Sequence, residues 1–385
     1  MRASKLVVSL ASLTSIAVIG CSGDGSTPPN GQPDAFGADA TRADGGTPTD
    51  APGSDARGVD GGSGNDASST SDAGALDDAG SDPCAGVTCA AGFTCGAGGY
   101  CANAAGVPAF GHVYVAVFEN RSLSSVSGNA PYLDGLGQTY ASATNYVSVA
   151  HPSLPNYIAM TSGDVQGISC DCSAHVLPNT CSVACAGPLG ICSCEVDVMH
   201  LGDQLDAAGL TWREYGESMG TPCNAMDVTS AHYAMRHLPF LYYNNVLSNS
   251  ARCTAHVRDF GDFGADMGSY RFSMISPNLC DDMHDTCGGD AIAHGDTWAS
   301  TNLAPIVNAV NASTNDVLFI VWDEEDNSTG RAPIPFIVVS PLVTPGATTA
   351  AAYDHYSLLA TWEDGLGLTR LGMAAGAPVI NDIWR

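Results

Sequence analysis

The chain has 385 residues and a formal net charge of −27, with 40 acidic side chains against 13 Lys and Arg. Lys5 is its single lysine, so no basic patch is available for a nucleic-acid backbone, which argues against a nucleic-acid partner. Fifteen cysteines point to an oxidising compartment. An acidic surface suits solubility outside the cell but repels anions, so any anion site here calls for local cations or arginine.

The chain opens on the basic Arg2 and Lys5, then an apolar run from Leu6 to Ile19 that is too short to span a membrane. The run ends in Val18-Ile19-Gly20-Cys21. Residues 1–20 are therefore expected to be an export signal of the bacterial lipoprotein type, with Cys21 carrying a lipid that anchors the chain to the cell envelope. An ordinary cleaved signal, with Cys21 incidental, is the weaker alternative. Residues 21–82 are rich in Gly, Asp, Ser, Ala, Thr and Pro and almost devoid of large apolar side chains, so they are expected to be a disordered tether. Residues 83–102 hold Cys84, Cys89, Cys95 and Cys101 between glycines. That stretch is too small for a hydrophobic core and reads as a disulfide module, with a zinc site disfavoured because no histidine is near.

From about residue 108 strand and helix signals alternate. Residues 112–118, 210–215, 271–275, 317–322 and 335–340 read as strands, and 131–140, 153–161, 200–208, 303–310 and 355–363 as helices. The expected fold class for 108–385 is α/β, a mostly parallel central sheet with helices on both faces. Sites in such sheets form beyond the carboxyl ends of the strands.

Polar clusters sit where those strands end. Glu119-Asn120 follows the first strand and Asp323-Glu324-Glu325-Asp326 follows a later one. Asp281-Asp282-Met283-His284-Asp285 lies beyond the strand at 271–275, and His355 opens the last helix. Carboxylates and imidazoles on one sheet edge are what a hard or borderline divalent cation requires. Alone, Glu119-Asn120 reads equally as a solvated turn, an acidic run such as 323–326 is usually a solvated loop, and His284 and His355 could be structural; their joint placement favours a site. His151-Pro152-Ser153-Leu154-Pro155-Asn156-Tyr157 sets one serine between two prolines at a helix start. A serine there faces free backbone N–H groups and a positive dipole end, which suits a hydroxyl that ionises and a phosphate that docks. The plain alternative is that Ser153 is only a helix cap.

These stretches resemble, in order, the bacterial phosphoesterase family of acid phosphatases and phosphocholine-type phospholipases C, itself similar to the alkaline-phosphatase superfamily. The matching segments are Phe118 to Ser122, His151 to Tyr157, Ser276 to Asp285, Val321 to Glu324 and Tyr353 to Ser357. The resemblance implies an alkaline-phosphatase-like fold and hydrolysis of a small phosphoester substrate through a phosphoserine at Ser153. It implies metal ligands at Glu119, Asn120, Asp282, His284, Asp323, Glu324 and His355. One or two divalent ions are implied, with zinc, calcium, magnesium and iron all open, because Glu119-Asn120 and Asp323-Glu324 make the set richer in oxygen than the superfamily's usual Asp and Asp-His. His151 is a candidate acid for the leaving group. Arg121 is either a phosphate clamp or a surface ion-pair partner. An acid-phosphatase-like monoesterase is favoured over a phospholipase C-like diesterase, and an inactive metal-binding surface lipoprotein is the remaining alternative. Six cysteines in 170–194 are expected to brace an insertion near the substrate mouth, with Cys223–Cys253 and Cys280–Cys287 as further pairs.

Overall fold

A computed structural model of the chain describes residues 82–174, 194–326 and 331–385. The expected leader, Cys21 and the tether up to residue 81 lie outside the described residues, as do Cys181, Cys185 and Cys192. Among the described residues no helix is long and apolar enough to cross a membrane.

The apolar run after His112 forms β1 (Val113–Phe118), buried at every position. Continuous burial of this kind belongs to a parallel strand covered on both faces. It is joined by β2 (Ala141–Ala143), β3 (Trp212–Gly216), β4 (Val257–Asp259), β5 (Phe272–Ser276), β6 (Val317–Trp322), β7 (Phe336–Val339) and β8 (Ala347–Thr349). They form an eight-stranded sheet in the order β8-β2-β7-β6-β1-β5-β3-β4. From β6 to β4 every pairing is parallel; β7 alone runs against its neighbours β6 and β2. The expected mostly parallel sheet is present.

The helices that matter for the site are α1 (Pro131–Thr139), α2 (Ser153–Ser162), α3 (Leu201–Ala207), α4 (Ala291–Asn302), α5 (Ala304–Ala312) and α6 (His355–Leu366). Strand side chains alternate between faces, and the aromatic contacts show which helix covers which. Phe118 stacks on Trp322 at 4.8 Å and meets Trp298 of α4 edge-on. On the opposite face Trp362 of α6 meets Phe319 and Phe272. Helices therefore cover both faces, as expected. Gly163 ends α2 in the left-handed region (φ 75), where an added Cβ would collide with the Leu371 carbonyl.

The helix expected at 303–310 is the second of two. α4 precedes it, started by Asp290, whose side chain accepts from the N–H of Ile292 and Ala293. Its apolar pattern is interrupted by His294, Gly295 and Asp296, and these have their own tasks. Gly295 leaves room for Met283, and Asp296 caps α1 by accepting from Tyr132 N–H at 3.1 Å and Leu133 N–H at 3.0 Å.

The cysteine-rich stretch is a small hairpin, Thr94–Cys95 against Cys101–Ala102, closed by Cys84–Cys95 and Cys89–Cys101 disulfides. It is tied to the chain's end: the Tyr100 hydroxyl donates to the Arg385 carbonyl. Asn103 just beyond it donates to Asp364 at 2.8 Å. Cys172–Cys194, Cys223–Cys253 and Cys280–Cys287 are also bonded, the last two as expected. Trp362 is fully buried against Phe319 and Phe272, so Trp362→Ala should cost about 3–5 kcal/mol. Denaturant unfolding that moved by less than 1 kcal/mol, as an order of magnitude, would remove this contact from the core's anchors.

Candidate active site

β1 and β6 lie side by side with Phe118 opposite Trp322. Those two rings face α4, so the next residue on each strand, Glu119 and Asp323, turns to the face that α2 and α6 cover. Both are fully buried. The chain then bends, with Asn120 at φ 52, and its N–H donates to Asp323 Oδ1 at 3.1 Å. Asn120 Nδ2 donates to Glu119 Oε2 at 2.9 Å. On the other flank β5 leads into a turn that delivers Asp282, whose backbone carbonyl accepts from Glu119 N–H at 2.8 Å. Asp282 Oδ1 accepts from His284 N–H at 2.8 Å. The Cys280–Cys287 disulfide closes this turn.

The segment before α2 is pinned by Asn156. Its Oδ1 accepts from Val149 and Ala150 N–H at 3.1 and 2.9 Å, and its Nδ2 donates to the Ala150 carbonyl at 2.9 Å. Ser153 is thereby fixed as the first residue of α2, after Pro152, which supplies no side-chain cap. Ser153 Oγ donates to Glu119 Oε2 at 2.9 Å. One helical turn on, Tyr157 donates to Glu119 Oε1 at 2.6 Å. His237 approaches from a short helical turn at 235–237, its Nε2 3.2 Å from Glu119 Oε1 and its Nδ1 3.3 Å from Asp282 Oδ2. Its ring stacks on Tyr157 with centroids 5.3 Å apart.

The electrostatics are those of crowded anions. Burial, then Asp323 and Asp282, push Glu119 well above the usual carboxylate range. Burial raises Asp282 well above its range too, and pushes Asp323 up to about 6 against the hydrogen bonds it accepts. Glu324 is raised by burial and then by Asp323. Burial, then the Arg236 charge, hold His237 well below the ordinary imidazole value. Asp282 Oδ2, Asp323 Oδ2 and His237 Nε2 are buried and make no hydrogen bond. Ligand atoms of Glu119, His237 and Asp282 lie within 4.8 Å of one another. Converging oxygen and nitrogen lone pairs without partners fit a divalent cation.

Of the residues singled out in the sequence, Glu119, Asn120, Ser153, Asp282 and Asp323 meet directly. Glu324 reaches Asn156 Nδ2 at 3.4 Å and His151 Nδ1 at 2.7 Å. His151 is thus held between Glu324 and Glu325, whose Oε1 is 3.0 Å from its Nε2. His284 stands beside Asp282, its Nδ1 on Asp285 Oδ1 at 2.7 Å and its ring 6.2 Å from that of His237. Arg121 turns back to donate to the Asn120 carbonyl at 3.1 Å, and its Nε is buried without a partner.

His355 departs from the expectation of a ligand. Its Nε2 lies 2.6 Å from the Asp323 carbonyl and so carries the proton, leaving Nδ1 to accept from the Tyr146 hydroxyl at 3.0 Å. No lone pair remains for a metal. His355 instead fixes the backbone at Asp323, and burial pushes its pKa down to about 4, which keeps it neutral.

Sequence reasoning missed His237 and Arg236, and gave Tyr157 and Glu325, though both lie in its motifs, no role of their own. Tyr157 was within reach, being four residues after Ser153 on one helix face. His237 and Arg236 carry no local signal, because their partners come from strands far away in the chain. Arg236 is partly buried, and its charge acts on His237, His284, Asp282 and Glu324. That makes it a cation set over the carboxylates.

The sequence profile of the phosphoesterase family matches residues 126–369. A phosphatidylinositol-3-phosphatase of Mycobacterium tuberculosis is 33% identical over 287 residues, covering 73% of this chain and 85% of that one. An acid phosphatase of Aspergillus fumigatus is 28% identical and covers 60% of this chain, which spans 49% of that longer protein. A solved protein of the alkaline phosphatase superfamily from Vibrio parahaemolyticus aligns with a TM-score of 0.46 at 11% identity, over 70% of this chain and 69% of that one. The family and relatives define the class, a phosphoric ester hydrolase. The chain belongs to the phosphoesterase family.

A carboxyl whose folded pKa exceeds its unfolded value stabilises the fold fully below the unfolded pKa, about 4, and loses that contribution as pH rises through the folded value. With Asp323 near 6, chelator-treated protein should lose thermal stability as pH rises from about 4 to 6. An added divalent cation should restore more at pH 7 than at pH 4, at about equal concentration. Scanning calorimetry on both samples checks this. A chelated protein equally stable across that window would show that the carboxylates do not strain the fold.

Proposed function

We propose that the chain hydrolyses phosphate monoesters through attack of Ser153 Oγ on phosphorus, giving a phosphoserine that water then cleaves. The observation that carries this is the Ser153 hydroxyl, first in its helix, donating to the buried Glu119 carboxylate at 2.9 Å. The proton leaves toward Glu119 Oε2 as Oγ bonds to phosphorus, while the ester P–O bond breaks on the opposite side. His151 Nδ1 and Nε2, between Glu324 and Glu325 at a partly exposed position, are placed to return a proton to the departing alcohol. Arg236 and the N–H groups opening α2 hold the phosphoryl oxygens. In the second step water takes the alcohol's place and Ser153 regains its proton.

The residues that would hold a divalent cation are Glu119, Asn120, Asp323 and Glu324 on one side and Asp282, His237 and His284 on the other. Such a cation neutralises phosphoryl charge and favours ionisation of the serine hydroxyl. The donors are oxygens and imidazole nitrogens without thiolate, which suits calcium, magnesium, iron or zinc.

Monoesters are favoured because the relatives are named as phosphatases, and a phosphorylated inositol headgroup is the first natural substrate to try. A lipid on Cys21, after the leader at 1–20, would hold the enzyme on a membrane surface, where such a headgroup is presented. A phospholipase C-like diesterase remains the second reading, supported by the family resemblance of the motifs.

Ser153→Ala should lower turnover of p-nitrophenyl phosphate by at least about a thousandfold with the fold intact by circular dichroism. Retention of full activity would remove Ser153 from the chemistry. Chelation should abolish turnover reversibly, and elemental analysis then identifies the ion and its stoichiometry. Parallel assays with p-nitrophenyl phosphate, p-nitrophenyl phosphorylcholine and phosphatidylinositol 3-phosphate vesicles separate monoester from diester hydrolysis.

A further inference from the structure

We infer that the Asp171 carboxylate occupies, in the free enzyme, the place of the substrate phosphate, and so sets the affinity of the site for phosphate. The inference rests on the reading of Ser153 as the nucleophile.

α2 has ten residues and its N-cap, Pro152, offers no side-chain acceptor. The acceptor comes from elsewhere: Asp171 Oδ1 takes the N–H of Leu154, the residue after Ser153, at 2.9 Å. Its Oδ2 lies 3.6 Å from Arg236 Nε, a buried donor that makes no hydrogen bond. A backbone amide beside the nucleophile and a guanidinium are the two donors that a phosphoryl oxygen needs at a helix N-terminus. A carboxylate and a phosphate compete for them.

The charge of Asp171 reaches beyond the cap that it supplies to Leu154. It raises Glu324 by repulsion but raises His284 and Arg236 by attraction, so it is the internal anion that the Arg236 guanidinium faces. The backbone around it is held firmly. Cys172 is bonded to Cys194, and its carbonyl accepts from the Tyr242 hydroxyl at 2.8 Å. The Asp171 side chain keeps 31% of its surface exposed, so it can swing outward without the segment moving. A substrate phosphate displaces this carboxylate from Leu154 N–H and Arg236, and a ligand too weak to do so is refused.

The test is a titration of the metal-replete protein with inorganic phosphate by calorimetry, alongside KM for p-nitrophenyl phosphate. Asp171→Ala frees both donors and should tighten phosphate binding by about tenfold. Asp171→Asn keeps an acceptor for Leu154 N–H without the charge and should give a smaller gain in the same direction. Arg236→Gln in the Asp171→Ala background should cancel the gain. Weaker or unchanged phosphate binding in both Asp171 variants overturns the inference, since Asp171 would then serve to orient Arg236 or only to cap the helix. If the wild type turned over no monoester, the proposed function would fall, while the phosphate titration would still decide the role of Asp171.

Discussion

The site is governed by repulsion among buried carboxylates. Glu119, Asp282 and Asp323 converge from three adjacent strands, β1, β5 and β6, on one face of the sheet crest. Isolated buried charges cost several kcal/mol each unless paired or coordinated. The protein meets part of that cost with donors: Ser153, Tyr157 and Asn120 all point at Glu119, and Asn120 N–H points at Asp323. The positive end of α2 adds to this. Yet Asp282 and Asp323 each keep one oxygen that makes no hydrogen bond, that of Asp282 facing only His237 Nδ1 at 3.3 Å. Those leftover lone pairs are the strongest local argument that a cation completes the fold as well as the chemistry.

The sequence conveyed the parts of this design that depend on local pattern. Continuous apolar runs marked β1 and β6, and parallel strands buried on both faces produce such runs. Polar residues directly after them marked Glu119 and Asp323. The short strands β2, β4 and β8 were illegible because three residues carry no periodicity. α4 was hidden because Gly295 and Asp296 serve packing and capping rather than an amphipathic stripe. The reversed direction of β7 has no local signature at all.

The two histidines show where local reading stops. His355 follows Asp354 at the start of a helix and looks like a ligand by position. What decides its role is Tyr146, far back in the chain, which takes its second nitrogen. His237 lies in a Met-Arg-His turn that looks unremarkable, yet its two nitrogens face Glu119 and Asp282. Whether an imidazole offers a lone pair is settled by its second partner, and that partner is supplied by tertiary structure. The same holds for Arg121 and Arg236. Arg121 is adjacent in sequence to Glu119-Asn120 but spends a donor on the Asn120 carbonyl, whereas Arg236 comes from a distant turn and sits in the field of four site groups.

The charge balance of the whole chain explains why Arg236 has this weight. At −27 overall, the protein repels the anion it is proposed to bind. In the proposed function, binding is then won over short range, by the guanidinium, the opening amides of α2 and a cation among the carboxylates. Short-range attraction of that kind is strong only where water is excluded, and the burial of Glu119, Asp282, Asp323 and Ser153 supplies the exclusion. It also makes the site dependent on occupancy: with neither cation nor phosphate present, opposed charges must be satisfied from within the chain. His151 between Glu324 and Glu325, and Asp171 against Leu154 and Arg236, are both internal pairings of this sort. Each lies at the edge of the buried centre, where a side chain can leave its partner at modest cost. The deep groups cannot move that way, so under the proposed function it is the rim that adjusts when substrate enters.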